Sequence, residues 1–327
     1  MPVEAWLLDS DPAIRWQVMR DLTDEPADVV AAERSKVTTS GWGARLLAHQ
    51  GPDGLWGGGA NFPEWTGTKP TLWLLRAMGL DPASAEARRT VALVRDNCRW
   101  EYDDLPFFDG EVEPCINGAA VAIGAYFGQD VQGIVDRLLG EQLADGGWNC
   151  EAERGSTRSS FHTTICVLEG LLEHERAIGS ATGGTTSGPA ELTSARLRGQ
   201  EYLLDRRLLR RRSTGEVIDP AWTFFSFPPQ WHYDVLRGLD YLRDAGVEPD
   251  ERVAEAIDLV EQRRGADGRW LVQNPHPGEV YFEMDGGEGT PSRWNTLRAM
   301  RVLRWYERAA RPAGDLRQQS ARHAVKS

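Results

Sequence analysis

A short unit that recurs three times constrains the fold of this chain more than any other sequence feature. Gln50-Gly-Pro-Asp-Gly-Leu-Trp56 and Gln142-Leu-Ala-Asp-Gly-Gly-Trp148 both read Gln-x3-Gly-x-Trp. Ala266-Asp-Gly-Arg-Trp270 repeats the Asp-Gly-x-Trp core, with Arg264 at the glutamine position. Recurrence of one unit along a chain is typical of architectures built from repeated supersecondary elements. The sequence therefore predicts a repeated unit rather than unrelated domains.

The segments between these units have helical periodicity, and no run alternates in the manner of a strand. Polar amphipathic outer helices are predicted over 41–50, 85–98, 131–143, 195–209 and 251–264. More apolar inner helices are predicted over 70–79, 116–128, 161–174, 230–244 and 292–308. The fold class is therefore predicted to be all-α, built from about five helical hairpins.

The inner helices favour a closed ring over an open solenoid. The segment 116–127 (INGAAVAIGAYF) is apolar on nearly all faces, and its small residues permit close packing on both sides. An α/α toroid, or barrel, is therefore predicted. The predicted divisions are an N-terminal helical cap over 1–40, barrel repeats over 41–308 with a flexible insertion at 178–194, and a disordered tail over 309–327.

Charge and hydropathy exclude some classes of partner. The chain has 37 Lys and Arg against 49 Asp and Glu, a net charge of −12, and nucleic-acid binding needs clustered cations. No apolar run approaches the roughly 18 residues of a transmembrane helix, and the N-terminus does not read as a signal peptide. We therefore expect no nucleic-acid partner, no transmembrane segment and a cytoplasmic location. The sequence does not specify an oligomeric state.

The repeated units resemble the QW motifs of the squalene, hopene and oxidosqualene cyclases, whose α/α barrel is shared with the protein prenyltransferase β subunits. This resemblance covers about residues 41–308. It implies an enzyme that acts on an isoprenoid or other hydrophobic small molecule in a central cavity. The full cyclases pair two barrels and protonate their substrate with an Asp-x-Asp-Asp motif. This chain lacks that motif, and Glu101-Tyr-Asp-Asp104 is the nearest string, so class II cyclisation is not expected.

The prenyltransferase side of the resemblance implies a zinc site. Phe161-His162-Thr-Thr164 is similar to the segment that supplies the zinc-binding His in that family, whereas the family's Asp-Gly-Cys is replaced here by Cys115-Ile-Asn-Gly-Ala119. Four cysteines are too few for a disulfide scaffold in a chain this long. Cys115, Cys150 and His162 lie at hairpin ends on one predicted rim, so they are candidate Zn²⁺ ligands. The alternative is that they are ordinary buried residues.

Three further residues are candidate catalytic groups. His232 precedes Asp234 at the predicted start of the fourth inner helix, where the pair would suit a general base, or His232 a fourth metal ligand. The alternative is a helix cap or a hydrogen bond at the rim. Asp109 lies in an acidic loop with Glu111 and Glu113, whose carboxylates would suit acid-base chemistry or metal binding, or simply face solvent.

Four residues are candidate substrate contacts. Arg293 opens the fifth inner helix, where it would bind an anionic headgroup or instead pair with Asp285 or Glu288. Trp222, Phe225 and Phe108 are expected to line an apolar cavity, although a thick helical core needs such residues too.

Two other functions fit the same pattern. One is a non-catalytic barrel that binds a lipid or a peptide, and the other is a zinc-dependent hydrolase or lyase on the same scaffold.

Overall fold

The computed structural model describes residues 1–181 and 190–310, which contain helices and no β-strand. The helices are α1 (Val3–Leu8), α2 (Pro12–Asp21), α3 (Ala27–Ser35), α4 (Gly41–Ala48), α5 (Thr68–Met78), α6 (Ala85–Asn97), α7 (Pro114–Tyr126), α8 (Gln132–Gly140), α9 (Phe161–Ala181), α10 (Ala190–Leu204), α11 (Val235–Asp244), α12 (Ala254–Gln262) and α13 (Arg293–Ala310). The all-α prediction is confirmed, and a helix lies at each of the predicted inner and outer positions.

Some predicted boundaries differ from those observed. The fourth inner helix begins at Val235 rather than at residue 230, because the Asp234 carboxylate caps it by accepting the Arg237 backbone N–H at 2.7 Å. Helices α9 and α10 occupy both ends of the predicted 178–194 insertion. The middle of that insertion and residues 311–327 of the predicted tail lie outside the described residues.

The tryptophans of the three repeated units are fully buried and make the same two hydrogen bonds. Each indole Nε1 donates at 2.7 Å to a carbonyl in the last turn of the preceding outer helix, and each backbone N–H donates to a threonine hydroxyl in the first turn of the next inner helix. These partners are Leu46 and Thr68 for Trp56, Leu138 and Thr164 for Trp148, and Val260 and Thr296 for Trp270. Because the last carbonyls of a helix have no intrahelical donor, the indole acts as a C-terminal cap.

The glycine and glutamine of the unit also have repeated roles. Gly54, Gly146 and Gly268 have φ values of +87°, +98° and +81°, which L side chains rarely adopt. The Gln50 and Gln142 amides donate to carbonyls of their own turns at 2.8 and 2.7 Å, and also to a carbonyl of the next outer helix. The unit therefore joins two outer helices and one inner helix at a single turn.

Small residues bring the inner helices α7 and α9 into backbone contact. A Cβ placed on Gly118 would lie 2.5 Å from the Cys166 carbonyl group, and one placed on Gly170 would overlap the Gly118 carbonyl. Glycine is therefore required on both helices at this crossing, which is the close packing that the small residues of 116–127 predicted.

The inner helices pack side by side in chain order. Contacts run from α5 to α7, α9, α11 and α13, and then from α13 to α2 of the N-terminal segment. Helix α2 returns to the end of α5, where Trp16 Nε1 donates to the Met78 carbonyl at 2.8 Å and Gln17 donates to the Ala77 carbonyl at 3.3 Å. The N-terminal segment therefore contacts both the first and the last inner helix.

Candidate functional site

A cavity of about 580 Å³ lies beside the first turns of α5, α7 and α9. Cys115, Cys150 and His162 all line it, so the structure brings together the three residues that the sequence placed on one rim. The rest of its wall combines apolar and charged side chains: Phe62, Trp73, Tyr102, Ile116, Ala119 and Trp231, with Glu64, Lys69, Glu101, Glu111, Glu113 and Glu151.

Two thiols and one carboxylate cluster on this wall. Glu113 immediately precedes α7, Cys115 lies in its first turn, and Cys150 follows the turn of Trp148. One donor atom from each lies within 4.8 Å of the other two. The Cys115 Sγ is also 3.5 Å from Glu113 Oε2. Ligand atoms around tetrahedral zinc are about 3.4–3.8 Å apart, so a contraction of about 1 Å would let these residues hold the ion.

The two thiols differ in acidity. Hydrogen bonds from Cys115 and Thr163 lower the pKa of the Cys150 thiol, whereas the hydrogen bond to Cys150 and burial raise the pKa of Cys115. A first negative charge on the pair therefore resides on Cys150. Burial raises the pKa of Cys98 to about 12 and also raises that of Cys166. These last two cysteines are buried, as expected of residues in the core.

Lys69 is a wall residue that the sequence reasoning missed. It lies in the first turn of α5 with only 7% of its surface exposed, and its ammonium makes no hydrogen bond or ion pair to the described residues. Burial lowers the pKa of Lys69, and the nearby Cys115, Cys166 and Glu64 partly oppose this. The available signal was its position, immediately before Pro70 at the start of an inner helix, equivalent to that of Cys115.

His162 lies outside the Glu113, Cys115 and Cys150 group. Its Nδ1 accepts the Tyr233 backbone N–H at 2.8 Å, and burial lowers its pKa to about 4. The ring is therefore neutral, with its proton on Nε2, and that nitrogen is a hydrogen-bond donor. The expected zinc role of His162 does not fit this arrangement, because Nδ1 is occupied and Nε2 would have to lose its proton.

His232 and Asp234 do not form the expected pair. Asp234 is 3% exposed and accepts the backbone N–H groups of Arg237 and Ser226, so it is a helix cap. His232 precedes α11, and its Nδ1 lies 3.3 Å from the Pro229 carbonyl. Its ring stacks on His276 with centroids 3.5 Å apart. Burial lowers the pKa of His232 to about 4, so this histidine cluster is neutral at physiological pH.

Arg293 and Asp109 lie away from this wall. The Arg293 guanidinium donates to the Asp9 carbonyl at 3.0 Å and lies over the Trp6 ring at 4.6 Å, because the N-terminal segment packs there. Its backbone N–H donates to Asp285, a residue that the sequence offered as an alternative partner. The Asp109 side chain is exposed to solvent. Neither residue lines the 580 Å³ cavity, and their headgroup and acid-base roles stay predictions.

The three predicted aromatic contacts belong to the core. Trp222 packs against Phe161 at a centroid distance of 4.8 Å, Phe225 is fully buried, and Phe108 packs edge-on to Phe107 at 5.0 Å. None of these three is in the cavity wall. Phe62, Trp73, Tyr102 and Trp231 supply the aromatic surface of the cavity instead.

Comparison of the sequence with known protein families finds no matching family, and comparison with curated proteins finds no match. Within residues 1–181 and 190–310, no helix has the length and apolar content needed to cross a membrane. The geometry of the 580 Å³ cavity is therefore the basis for a functional proposal.

Proposed function

We propose that the chain is an enzyme that acts on a hydrophobic small molecule in the 580 Å³ cavity, with a zinc ion held by Glu113, Cys115 and Cys150. The observation that carries this proposal is the grouping of their three donor atoms within 4.8 Å on a cavity wall. Three protein ligands and an open fourth position are typical of catalytic zinc, whereas structural zinc has four protein ligands.

The proposal includes an α/α toroid related to the terpenoid cyclases and protein prenyltransferases. Its support is the circuit of contacts that runs through the inner helices and returns by α2 to α5. The identical bonding of Trp56, Trp148 and Trp270 further supports it, because it shows three equivalent hairpin turns.

The residues around the proposed ligands have complementary roles. A zinc ion bound there supplies a Lewis acid that polarises an oxygen of the substrate or of water. The Lys69 ammonium favours the thiolate form of Cys115, which is the form that would bind the metal. The neutral His162 ring, with its proton on Nε2, is a hydrogen-bond donor in the same wall.

The charge of the wall narrows the substrate class. Five glutamates and one lysine line the cavity, so it repels an anionic group such as a diphosphate. Its apolar side chains and its volume of about 580 Å³ suit a small molecule with a hydrophobic body. The proposed substrate is therefore a neutral or cationic hydrophobic molecule.

Metal analysis tests the proposed ligands. Protein purified without an affinity tag or chelator, or reconstituted with Zn²⁺ and desalted, should hold one zinc per chain. Cys150→Ala and Glu113→Gln should hold much less. Cys98→Ala is the matched control, because Cys98 is a buried thiol outside the group, and it should keep its zinc. Wild-type protein without stoichiometric zinc, or Cys150→Ala with a full complement, would refute the metal site.

Native mass spectrometry tests the cavity. We expect a hydrophobic molecule to copurify with the wild type and with Cys98→Ala. Ala119→Phe, which places a ring in the cavity wall, should carry none.

Catalysis is then tested by incubating the extracted molecule with wild type and with Cys150→Ala. Turnover only by the wild type supports an enzyme, and recovery of unchanged molecule from both indicates a binding protein instead.

A further inference from the structure

A second cavity, of about 310 Å³, has an unusual concentration of positive charge. It lies between helix α2 and the inner helices α5, α9, α11 and α13, and Trp73 lies in the wall of both cavities. Eight arginines and four carboxylates line it, in a chain whose net charge is −12. An arginine cluster in an acidic chain creates a local field of opposite sign to that of the whole molecule.

Most of the carboxylates already have an arginine partner. Glu173 pairs with Arg76 at 2.9 Å, Glu169 with Arg237 at 2.8 Å, and Asp244 with Arg176 at 2.8 Å. The fourth, Asp240, is approached by three arginines and cannot neutralise them all. Asp21 and Asp234 lie outside the lining but within 4.0 Å of Arg301 and Arg298, so six carboxylates face eight arginines and part of the positive charge is not cancelled.

Three arginines carry this excess. Arg34 donates to the Gly79 carbonyl and the Tyr126 hydroxyl, both at 2.8 Å, and contacts no carboxylate within residues 1–181 and 190–310. Arg298 is nine-tenths buried or more, yet its nearest carboxylate oxygen is 3.6 Å away. The buried Nε of Arg301 has no hydrogen-bond partner among the described residues. The other nitrogens of Arg301 bond to two carboxylates, each of which a further arginine shares, so its charge is only partly neutralised.

The electrostatics of Arg301 support the same conclusion. Burial and the neighbouring Arg243 and Arg20 lower the pKa of its guanidinium, although Asp240 and Asp21 oppose this. For the charged form of Arg301, burial and repulsion by other arginines therefore outweigh attraction to the nearby carboxylates. An anion bound beside it would reduce this electrostatic cost.

We propose that this second cavity binds a small polyanion of the phosphate or polycarboxylate type, held by Arg34, Arg298 and Arg301. The planar guanidinium has forked donors that match the oxygens of both anion types. A volume of 310 Å³ corresponds to about ten water molecules of liquid, which is enough for a pyrophosphate or a citrate. The site is independent of the zinc proposal, because none of its arginines lines the 580 Å³ cavity.

Isothermal titration calorimetry with sodium pyrophosphate and sodium citrate tests the site. At least one should bind saturably at an ionic strength fixed with NaCl. Arg34→Gln and Arg298→Gln should each weaken binding by about tenfold or more, because each removes a positive charge and its hydrogen bonds to the anion. Arg210→Gln is the matched control, since Arg210 pairs with Glu255 outside this cavity, and it should bind as the wild type does. Tighter binding of pyrophosphate identifies a phosphate ligand, and tighter binding of citrate a polycarboxylate.

Two results would overturn the proposal. One is no saturable heat with either anion at fixed ionic strength. The other is equal affinity in Arg34→Gln and Arg210→Gln. Arg34 is only half-buried, so its substitution remains informative if Arg298→Gln does not fold.

Discussion

Replacing tryptophan by phenylalanine tests whether the repeated unit caps the outer helices. Trp148→Phe keeps most of the buried ring but removes the donor to the Leu138 carbonyl, which has no second donor among the described residues. At the first unit, the Leu46 carbonyl also accepts the His49 backbone N–H at 3.1 Å. Trp56→Phe therefore leaves that carbonyl satisfied, so the two substitutions should differ.

The expected costs follow from these contacts. Loss of ring volume costs about 1–2 kcal/mol at either site. An orphaned buried carbonyl adds about 1–3 kcal/mol, whereas loss of one hydrogen bond from a carbonyl that keeps another adds about 0.5–1.5 kcal/mol. Trp148→Phe should therefore lose about 2–5 kcal/mol and Trp56→Phe about 1 kcal/mol less. Trp222→Phe is the control, because its buried Nε1 has no partner among the described residues and its removal offsets the lost volume.

Urea unfolding followed by far-ultraviolet circular dichroism measures these differences through the transition midpoint, provided that the slope of the transition is unchanged. Trp270→Phe should behave as Trp148→Phe does, since the Val260 carbonyl also has no second donor among the described residues. Capping would be refuted if Trp222→Phe were as destabilising as Trp148→Phe.

Two further predictions concern pH. In the folded protein the pKa of Lys69 is lowered from 10.5, so the unfolded chain binds more protons at this residue. The free energy of unfolding that burial of the Lys69 charge costs is therefore recovered as the pH rises toward 10.5. Lys69→Met should therefore have a higher Tm than wild type at pH 7, and the difference in Tm should be smaller near pH 10. Lys36→Met is the control at an exposed lysine. The prediction is contradicted if the Tm difference does not shrink or if Lys36→Met gives the same one. The pKa of His232 falls from 6.5 to about 4, so the unfolded chain binds the extra proton and stability falls as pH drops through this range. His232→Gln should flatten the acid side of the Tm profile, and an unchanged slope would contradict the prediction.

The helices were predictable because their signals are local. Outer helix α8 carries Ile134, Val135 and Leu138, and Val131 precedes it at the same helical spacing; the structure buries all four. The proximity of Cys115 and Cys150 was also predictable, because both lie at hairpin ends and such ends meet on one rim. Glu113 was named only as one of several acidic residues, since nothing in the sequence distinguishes it from Asp109.

His232 and Asp234 are arranged differently from the predicted pair, and the difference has a physical cause. Adjacent polar residues near a helix start fit either a base with its carboxylate or a helix cap, and sequence spacing does not separate these. The cap prevailed because the Arg237 and Ser226 N–H groups are buried beside Asp234. The contacts of Arg293 also differ from those predicted, because they depend on where the N-terminal segment packs.

Periodicity and turn chemistry act within a few residues, so they were enough to predict the helical class, the hairpin turns and the proximity of Cys115 and Cys150. Tertiary structure decided which charges are buried and which are paired. Lys69, Arg298 and Arg301 look like ordinary surface cations in the sequence. Their burial depends on side chains from other helices. When those helices pack together they exclude water from the three cations, and they bring too few carboxylates to neutralise them.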